Sequence, residues 1–356
     1  MRTDIREMAA ANAPWLSVDA DDSDVVFSSR IRLARNIARW PFPPRAEPHD
    51  REAVLEATRE SLLAHAQFSP TSEISFDGLE KGDRRVLIER RLATKELFDG
   101  RPGCAIFVAE DEAASVMVNE EDHLRIQSIL PGLQLDLAYD IATAIDDHLS
   151  TDLGIAFHDD LGYLTSCPSN VGTGLRASVM LHLPGLVLAE TINECLAAIQ
   201  QLGLAVRGVA GEGSETHGNL FQLSNQSTLG ETEAEIISGL ARATQHLVNC
   251  ERNARKKLVE QVSDRLADYV GRAFGCLQHA HWLTTDEALM YLSALRLGTD
   301  MKMFSQMESE WVNGLWLAVQ SGHLQARDDG TGPRAKRPVR RARLVRARLA
   351  EVTRPD

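Results

Sequence analysis

Apolar and polar positions change rhythm several times along this chain of 356 residues. Over 50–66, "DREAVLEATRESLLAHA", apolar residues recur at helical spacing, and the stretch predicts a helix. From 83 to 127 the rhythm shortens. "RRVLIERRL", "CAIFVA", "ASVMVN" and "HLRIQSI" alternate or form short apolar runs bounded by glycine and charge, which predicts strands. No helix intervenes between these segments, so an antiparallel sheet is favoured over a doubly wound one. A helix follows at 133–150. Further strands are expected at "GYLTSCP", "LRASVMLHLP", "LAVRGVAGEG" and "NLFQLSN", with a helix at 190–202 between the second and third.

The pattern changes again at Thr232. "TEAE" is a capping box, and the chain after it reads as helical nearly to 281. A second box, Thr284–Glu287, starts another helix, and 301–320 reads as helical too. Gly, Pro and charge make 326–338 a linker, and a short basic helix closes the chain. The expected fold class is therefore α+β. An antiparallel sheet flanked by helices occupies 1–255, and an all-helical domain with a basic tail occupies 256–356.

Composition narrows the possibilities. The chain is 44% hydrophobic and 25% charged, as expected of a globular protein with a sizeable core. No apolar run approaches the roughly 18 residues of a membrane helix, and the N-terminus lacks a signal peptide's apolar stretch. A cytoplasmic protein with no membrane partner is expected. The formal net charge of −13 disfavours a nucleic-acid partner. The charge is uneven, however: "RAKRPVRRARLVRAR", 334–348, holds eight Lys/Arg and no acid, so the remainder is more acidic still. An acidic body attracts basic partners, arginine-rich protein segments among them. The five cysteines are scattered, which argues against a disulfide framework. Cys276, His279 and His281 lack a fourth ligand and lie in a helical pattern, so no metal site is assigned.

Four stretches set arginine beside glycine, serine or acid. In "SSRIRLARN", Arg30 and Arg32 are two apart, so on a strand both point to one face. "NEEDHLRIQ" holds Glu120, Glu121, Asp122 and Arg125. "SCPSNVGTGLRASVML" holds Cys167 and Arg176. "RGVAGEGSE" holds Arg207 and a turn with Glu212. Five arginines converging from separate strands can neutralise a triphosphate without a P-loop, because guanidinium forks match phosphate oxygens. Phosphoryl transfer asks mainly for positioning and charge stabilisation. Carboxylates beside such a cage need a cation, either Mg²⁺ or a substrate guanidinium. A guanidinium pKa above about 12 forbids full deprotonation beforehand, so a base must act as transfer proceeds.

"NEEDH", "CPSNVGTGLRASV" and the Arg-Gly…Gly-Glu-Gly turn resemble the ATP:guanido phosphotransferases. "VVFSSRIRLARN", "RASVMLHLP" and "NLFQLSNQSTLGETEAEII" are similar to their bacterial protein-arginine kinase branch, the McsB type. The resemblance runs from about residue 24 to the C-terminus. It implies ATP and Mg²⁺ as cofactors and transfer of the γ-phosphate to arginine side chains of proteins. It implies that Arg30, Arg32, Arg125, Arg176 and Arg207 hold the nucleotide phosphates. Ser28, Ser29, Ile31, Ala177, Ser178, Val179, Met180, Gly208, Val209, Ala210 and Gly211 complete the nucleotide-binding stretches. Glu121 takes the part of catalytic base, Glu212 that of second guanidinium clamp, and Cys167 that of the reactive cysteine beside the guanidinium.

The resemblance also implies a homodimer through the helical domain, a zinc-binding McsA-type activator and hand-over to a Clp ATPase. The early arrival of the first arginine motif leaves out the N-terminal helical domain of small-guanidine kinases, which favours a protein substrate. The alternatives are a phosphoarginine-binding adaptor and a kinase for free arginine or another small guanidine. Two departures from the branch stand out. Arg91 stands where the family tends to place a histidine near the nucleotide. In "RPVRRA", 337–342, Pro338 replaces the aspartate of a phosphoarginine pocket, leaving Arg337 and Arg341.

Overall fold

The computed structural model describes residues 5–68, 73–76, 79–98, 101–208, 216, 218–327 and 336–351. An antiparallel sheet of eight strands is its centre. The strands are β1 (Val26–Arg35), β2 (Glu73–Ser75), β3 (Ala105–Val108), β4 (Ala114–Val118), β5 (Leu124–Pro131), β8 (Leu175–His182), β9 (Leu204–Gly208) and β10 (Leu220–Asn225). Their order across the sheet is β2-β3-β4-β5-β1-β8-β10-β9. A separate hairpin joins β6 (Phe157–His158) to β7 (Gly162–Tyr163). The helices of the body are α1 (Ile5–Ala10), α2 (Pro48–Ala64), α3 (Lys81–Glu89), α4 (Leu135–Leu153), α5 (Pro184–Leu188) and α6 (Ile192–Gln201). Then come α7 (Glu233–His279), α8 (Thr285–Asp300), α9 (Ser309–Ala318), α10 (Ser321–Arg327) and α11 (Arg337–Leu349).

Alternation along β1 decides what each face does. Ile31 and Leu33 point to one side, into a core with Val179, Ile126 and the apolar faces of α2, α4 and early α7. The intervening Arg30 and Arg32 point to the other side. That second face is covered only at its flanks. Ile106, Val108 and Met117 meet α1 and α3 residues at one edge. Phe27, Ile129, Met180 and Leu220 meet α8 and α9 residues at another. The polar middle stays open.

Both threonine capping boxes form: Thr232 accepts from the amide of Glu235, and Thr284 from that of Glu287. The helix begun at Thr232 runs to His279, with non-helical dihedrals at Val262. Three expectations fail. "RRVLIERRL" is mostly α3, opened by a Glu80–Asp83 capping box. Its run of three apolar residues fits either period, and helical winding buries Val86 and Leu87 in the cluster under β3. "GYLTSCP" is strand only at Gly162–Tyr163, and 301–320 is α-helical only over Ser309–Ala318. Part of the linker 326–338 and the tip of "LAVRGVAGEG" lie outside the described residues.

Candidate active site

Register assembles the site. Across β1 and β8, Arg32 sits opposite Arg176 and Arg30 opposite Ser178. Across β1 and β5, Ala34 sits opposite Arg125. Arg207 on β9 lies opposite Gln222 on β10, which faces Met180 on β8. Residues directly opposite share a face, so all five arginines share the open face of the sheet. A cleft of about 580 Å³ is lined by Arg32, Arg125, Arg176 and Arg207 together with Glu121 and Cys167. Arg30 lines a neighbouring, more apolar slot of about 340 Å³ with Arg91, Trp15, Met180 and Trp316.

The charges in this floor are poorly balanced. Among the described residues, no carboxylate makes an ion pair with Arg30, Arg32 or Arg176. Arg30 reaches Ser178 Oγ at 3.4 Å and Gln222 Oε1 at 3.5 Å. Arg176 reaches Asn170 Oδ1 and Asn225 O, both at 3.3 Å, and Ser169 Oγ at 3.2 Å. Arg32 Nε is buried with no hydrogen-bond partner. Burial, then repulsion from Arg32, Arg91 and Arg125, pushes Arg30 well below the ordinary guanidinium value. Burial lowers Arg32 to about 10, with Arg125 and Arg176 adding to the shift, and burial lowers Arg91 to about 10. At about 10, Arg32 and Arg91 stay charged at neutral pH, so the floor holds desolvated positive charge that a polyanion would relieve.

"NEEDH" is the tight turn from β4 to β5. Asn119 takes a left-handed φ of 58°, and its Nδ2 donates to Arg51 O and Gly103 O at 2.8 and 2.7 Å. Arg125 forks onto both glutamates, donating to Glu120 Oε1 and Glu121 Oε2 at 2.9 Å each. The two acids differ in exposure: the Glu120 side chain is 2% exposed and that of Glu121 40%. Only Glu121 faces the cleft. His123 fixes the turn from beneath. Its Nδ1 accepts from the amide of Ile37 at 3.0 Å, which leaves Nε2–H to donate to Pro41 O at 3.0 Å. That arrangement needs the neutral ring, and burial lowers His123 to about 4.

Asp122 ties this turn to the cysteine loop. Its Oδ1 accepts from Asn36 Nδ2 and from the amide of Ser166, both at 2.6 Å. Burial raises its pKa, and these hydrogen bonds oppose the rise. Beyond it, Cys167 Sγ lies 3.1 Å from Ser169 Oγ, beside Arg176. Two glycines shape the loop's return. Gly172 has φ 111°, and a Cβ there would lie 2.1 Å from Thr228 O. Gly174 has φ 65°, and its Cβ would lie 2.5 Å from Arg35 Nη1. No other residue fits either position.

Not every expected site residue projects into the cleft. Ser29, Ile31, Ala177 and Val179 alternate to the far face. Ile31, Ala177 and Val179 are core there, and Ser29 Oγ donates to Gly132 O at 2.8 Å. Ser28, Ser178 and Met180 share the arginine face. Arg91 arrives from the end of α3 and not from a strand, with φ 63° and its carbonyl held by Gln127 Nε2 at 2.8 Å. Gly208 ends β9; Val209, Ala210, Gly211 and Glu212 lie outside the described residues.

In the tail, Arg341 is buried as a strut, donating to Val319 O at 2.7 Å and Leu283 O at 2.8 Å. Burial and Arg337 lower its pKa, while Asp286 and Glu89 oppose them. Arg337 donates to Gln325 Oε1 at 2.8 Å. Sequence reasoning missed Gln222, Ser224 and Gln226, which also line the cleft. Alternation along "NLFQLSN" was the available signal for the first two.

Similarity to known proteins agrees with this geometry. The profile of the ATP:guanido phosphotransferase C-terminal catalytic domain matches residues 54–254. That of the protein-arginine kinase McsB C-terminal domain matches 263–356. A protein-arginine kinase of Halalkalibacterium halodurans is 43% identical over 345 residues, 97% of each chain. One of Moorella thermoacetica is 42% identical over 342 residues, 95% of this chain and 98% of the other. Among solved structures, lombricine kinase shares the fold with a TM-score of 0.57 at 22% identity, over 71% of each chain. The substrate-free duplicated taurocyamine kinase of Schistosoma mansoni gives 0.58 at 25% identity, over 77% of this chain and 41% of that one. Profile matches spanning body and tail, and relatives alike over nearly their whole length, place the chain in the ATP:guanido phosphotransferase family, in its protein-arginine kinase branch.

Proposed function

We propose that the chain transfers the γ-phosphate of ATP to arginine side chains presented on proteins. The observation that carries this reading is one cleft in which Arg32 and Arg176, without a carboxylate partner among the described residues, stand with Arg125 and Arg207 beside the exposed Glu121 and Cys167. Arg30, Arg32, Arg125, Arg176 and Arg207 hold the phosphates and fix the γ-phosphorus in line. A guanidinium nitrogen of the substrate attacks it. The N–P bond forms, the bond from phosphorus to the bridging oxygen breaks, and its electron pair leaves with ADP. Glu121 takes the proton that the nitrogen loses. Its present bond to Arg125 orients the carboxylate and is one the substrate guanidinium can share. Cys167 stands on the guanidinium side, and Glu212 serves as second clamp.

Mg²⁺, when bound, would supply charge neutralisation, and phosphate oxygens and water would hold it above the arginine-lined floor. Among the described residues no helix is long and apolar enough to cross a membrane. A cytoplasmic homodimer working with an McsA-type activator and a Clp ATPase completes the proposal on the strength of the branch resemblance. The test is incubation with Mg-ATP and either an arginine-rich protein or free arginine. Acid-labile phosphate on the protein alone supports the reading. Label on free arginine alone makes the chain a small-guanidine kinase. Phosphoarginine binding without transfer makes it an adaptor.

A further inference from the structure

β9 is the last strand of the sheet, and among the described residues no strand pairs with its outer edge. Its two faces open differently. Ala205 and Arg207 line the catalytic cleft with Glu121 and Cys167. Leu204 lines a second cleft, of about 950 Å³, between α6 and the first turns of α7. Val206 shares the Leu204 face and is half-buried against the main core. The two clefts adjoin at Gln226, which lines both. The lining of the second mixes Ile199 and Leu202 with Glu231, Glu235 and Arg242. Leu202 caps α6 at the turn into β9 and is 67% exposed. An unpaired edge displays a row of backbone donors and acceptors, so an extended peptide can take the place of the next strand. Two carboxylates against one guanidinium favour a basic segment, and the adjoining catalytic cleft calls for one that carries arginine.

We infer that the protein substrate docks as an added strand on the outer edge of β9, with its target arginine opposite Arg207. The inference rests on the reading that the acceptor is a protein. Alternation then fixes a pattern in the substrate. A residue beside Ala205 or Arg207 points to the arginine floor, where Glu121 and Cys167 stand. Residues an odd number of positions from the target arginine point the other way, toward Leu202, Leu204 and Val206. Residues at even offsets return to the polar cleft. Arg207 and Leu204 are themselves three residues apart, about 10 Å along a strand. An apolar residue three positions from the target arginine therefore gains burial against Leu202 and Leu204. The same residue two positions away meets guanidinium groups.

The test uses fluorescein-labelled peptides of one composition, each with a single arginine and a single leucine, two or three positions apart on either side. Anisotropy with the whole chain and Mg-ADP measures affinity, and transfer from Mg-ATP measures kcat and KM. Leucine at offset three on one side should bind about tenfold tighter than either offset-two peptide, with kcat little changed. The favoured side reports whether the added strand runs parallel or antiparallel to β9. N-methylation of the backbone between arginine and leucine should remove the advantage. So should Leu202→Asp, an exposed change that leaves ATP affinity as it was. An advantage that survives Leu202→Asp would place the segment elsewhere and overturn the inference. Equal affinity in every register would overturn it too, and transfer to those peptides would leave the kinase reading intact. Register-dependent binding without transfer would support the docking and remove the kinase reading. Transfer to free arginine with no peptide binding would overturn both.

Discussion

Arg32 and Arg35 are three residues apart on one strand, and they live opposite lives. Arg35 points to the helix side, 1% exposed, and forks onto Asp146 with bonds of 2.7–3.0 Å. It also donates to the carbonyls of Ala34 and Thr173, and Tyr163 lies over it at 3.4 Å. Arg90 with Glu112 and Arg296 with Asp300 follow the same plan. Arg32 points to the cleft with a buried Nε that bonds to nothing. A buried arginine with its carboxylate is a finished structural joint. A buried arginine without one is an unfilled demand for an anion. The difference lies in the partner, and the partner is what separates scaffold from site.

The largest expected effect tests Glu121, the acid that faces the cage among the described residues. Glu121→Gln should lower the transfer rate by about 10²–10⁴, the usual worth of a positioned base, with ATP affinity nearly unchanged. Rapid-quench assay and nucleotide titration separate the two. A rate near wild type would move the base elsewhere.

The comparison itself is tested next. Arg35→Met should cost about 3–5 kcal/mol in urea unfolding, since Asp146 is left buried and alone. Arg32→Met should fold with equal or greater stability, because a repelling charge is gone, yet bind ATP poorly. Equal stability losses in both would erase the distinction. Arg176→Lys should also bind ATP poorly, because a point charge cannot replace a fork.

A smaller effect concerns the neutral ring beneath the turn. His123 folds with a value of about 4 against an ordinary 6.5. The unfolded chain therefore binds the extra proton first. Stability from this group is complete above about pH 6.5 and is lost as pH falls toward 4, by roughly 3 kcal/mol at most. Urea unfolding against pH should show that slope, and His123→Gln should flatten it.

The smallest effects lie in the tail. Arg341→Ala should lower stability by about 1–3 kcal/mol, because two buried carbonyls lose their donor. Arg337→Ala should leave stability nearly unchanged. With Pro338 offering no carboxylate, free phosphoarginine should not alter the transfer rate of wild type. A response to phosphoarginine that disappears in Arg337→Ala would mean that a nearby acid, Asp286 or Glu89, has taken over the pairing.

Much of this was legible in the chain. The spacing of Arg30 and Arg32 on an alternating strand gives their common face directly. The hairpin turn "NEEDH" and the glycine-bent cysteine loop were readable because each motif is local. What escaped notice depends on contacts distant in sequence. The apolar triplet in "RRVLIERRL" fits strand and helix alike, and a cluster under β3 decides in favour of helix. A run of basic residues reads as solvated, yet Arg341 is buried by carbonyls at Leu283 and Val319, which no pattern within the tail announces. Alternation shows that Ser29 and Arg30 diverge, but only the register with β8 shows which arginines meet.

The long helix α7 carries one more consequence. It begins at Glu233, beside Arg35 and Tyr139 at the edge of the body, and ends at His279 among the C-terminal helices. The two family profiles stop at 254 and resume at 263, so they meet inside it, and its one non-helical residue, Val262, falls at that seam. The helical stretch that leads from Glu233 up to the kink at Val262 sets phase as well as distance. One residue inserted within it would swing everything downstream by about 100° and advance it by about 1.5 Å, whereas seven would nearly restore the original facing. Insertions of one to seven residues in that stretch should therefore change activity periodically and not in proportion to length, as turning a screw does and stretching a tether does not.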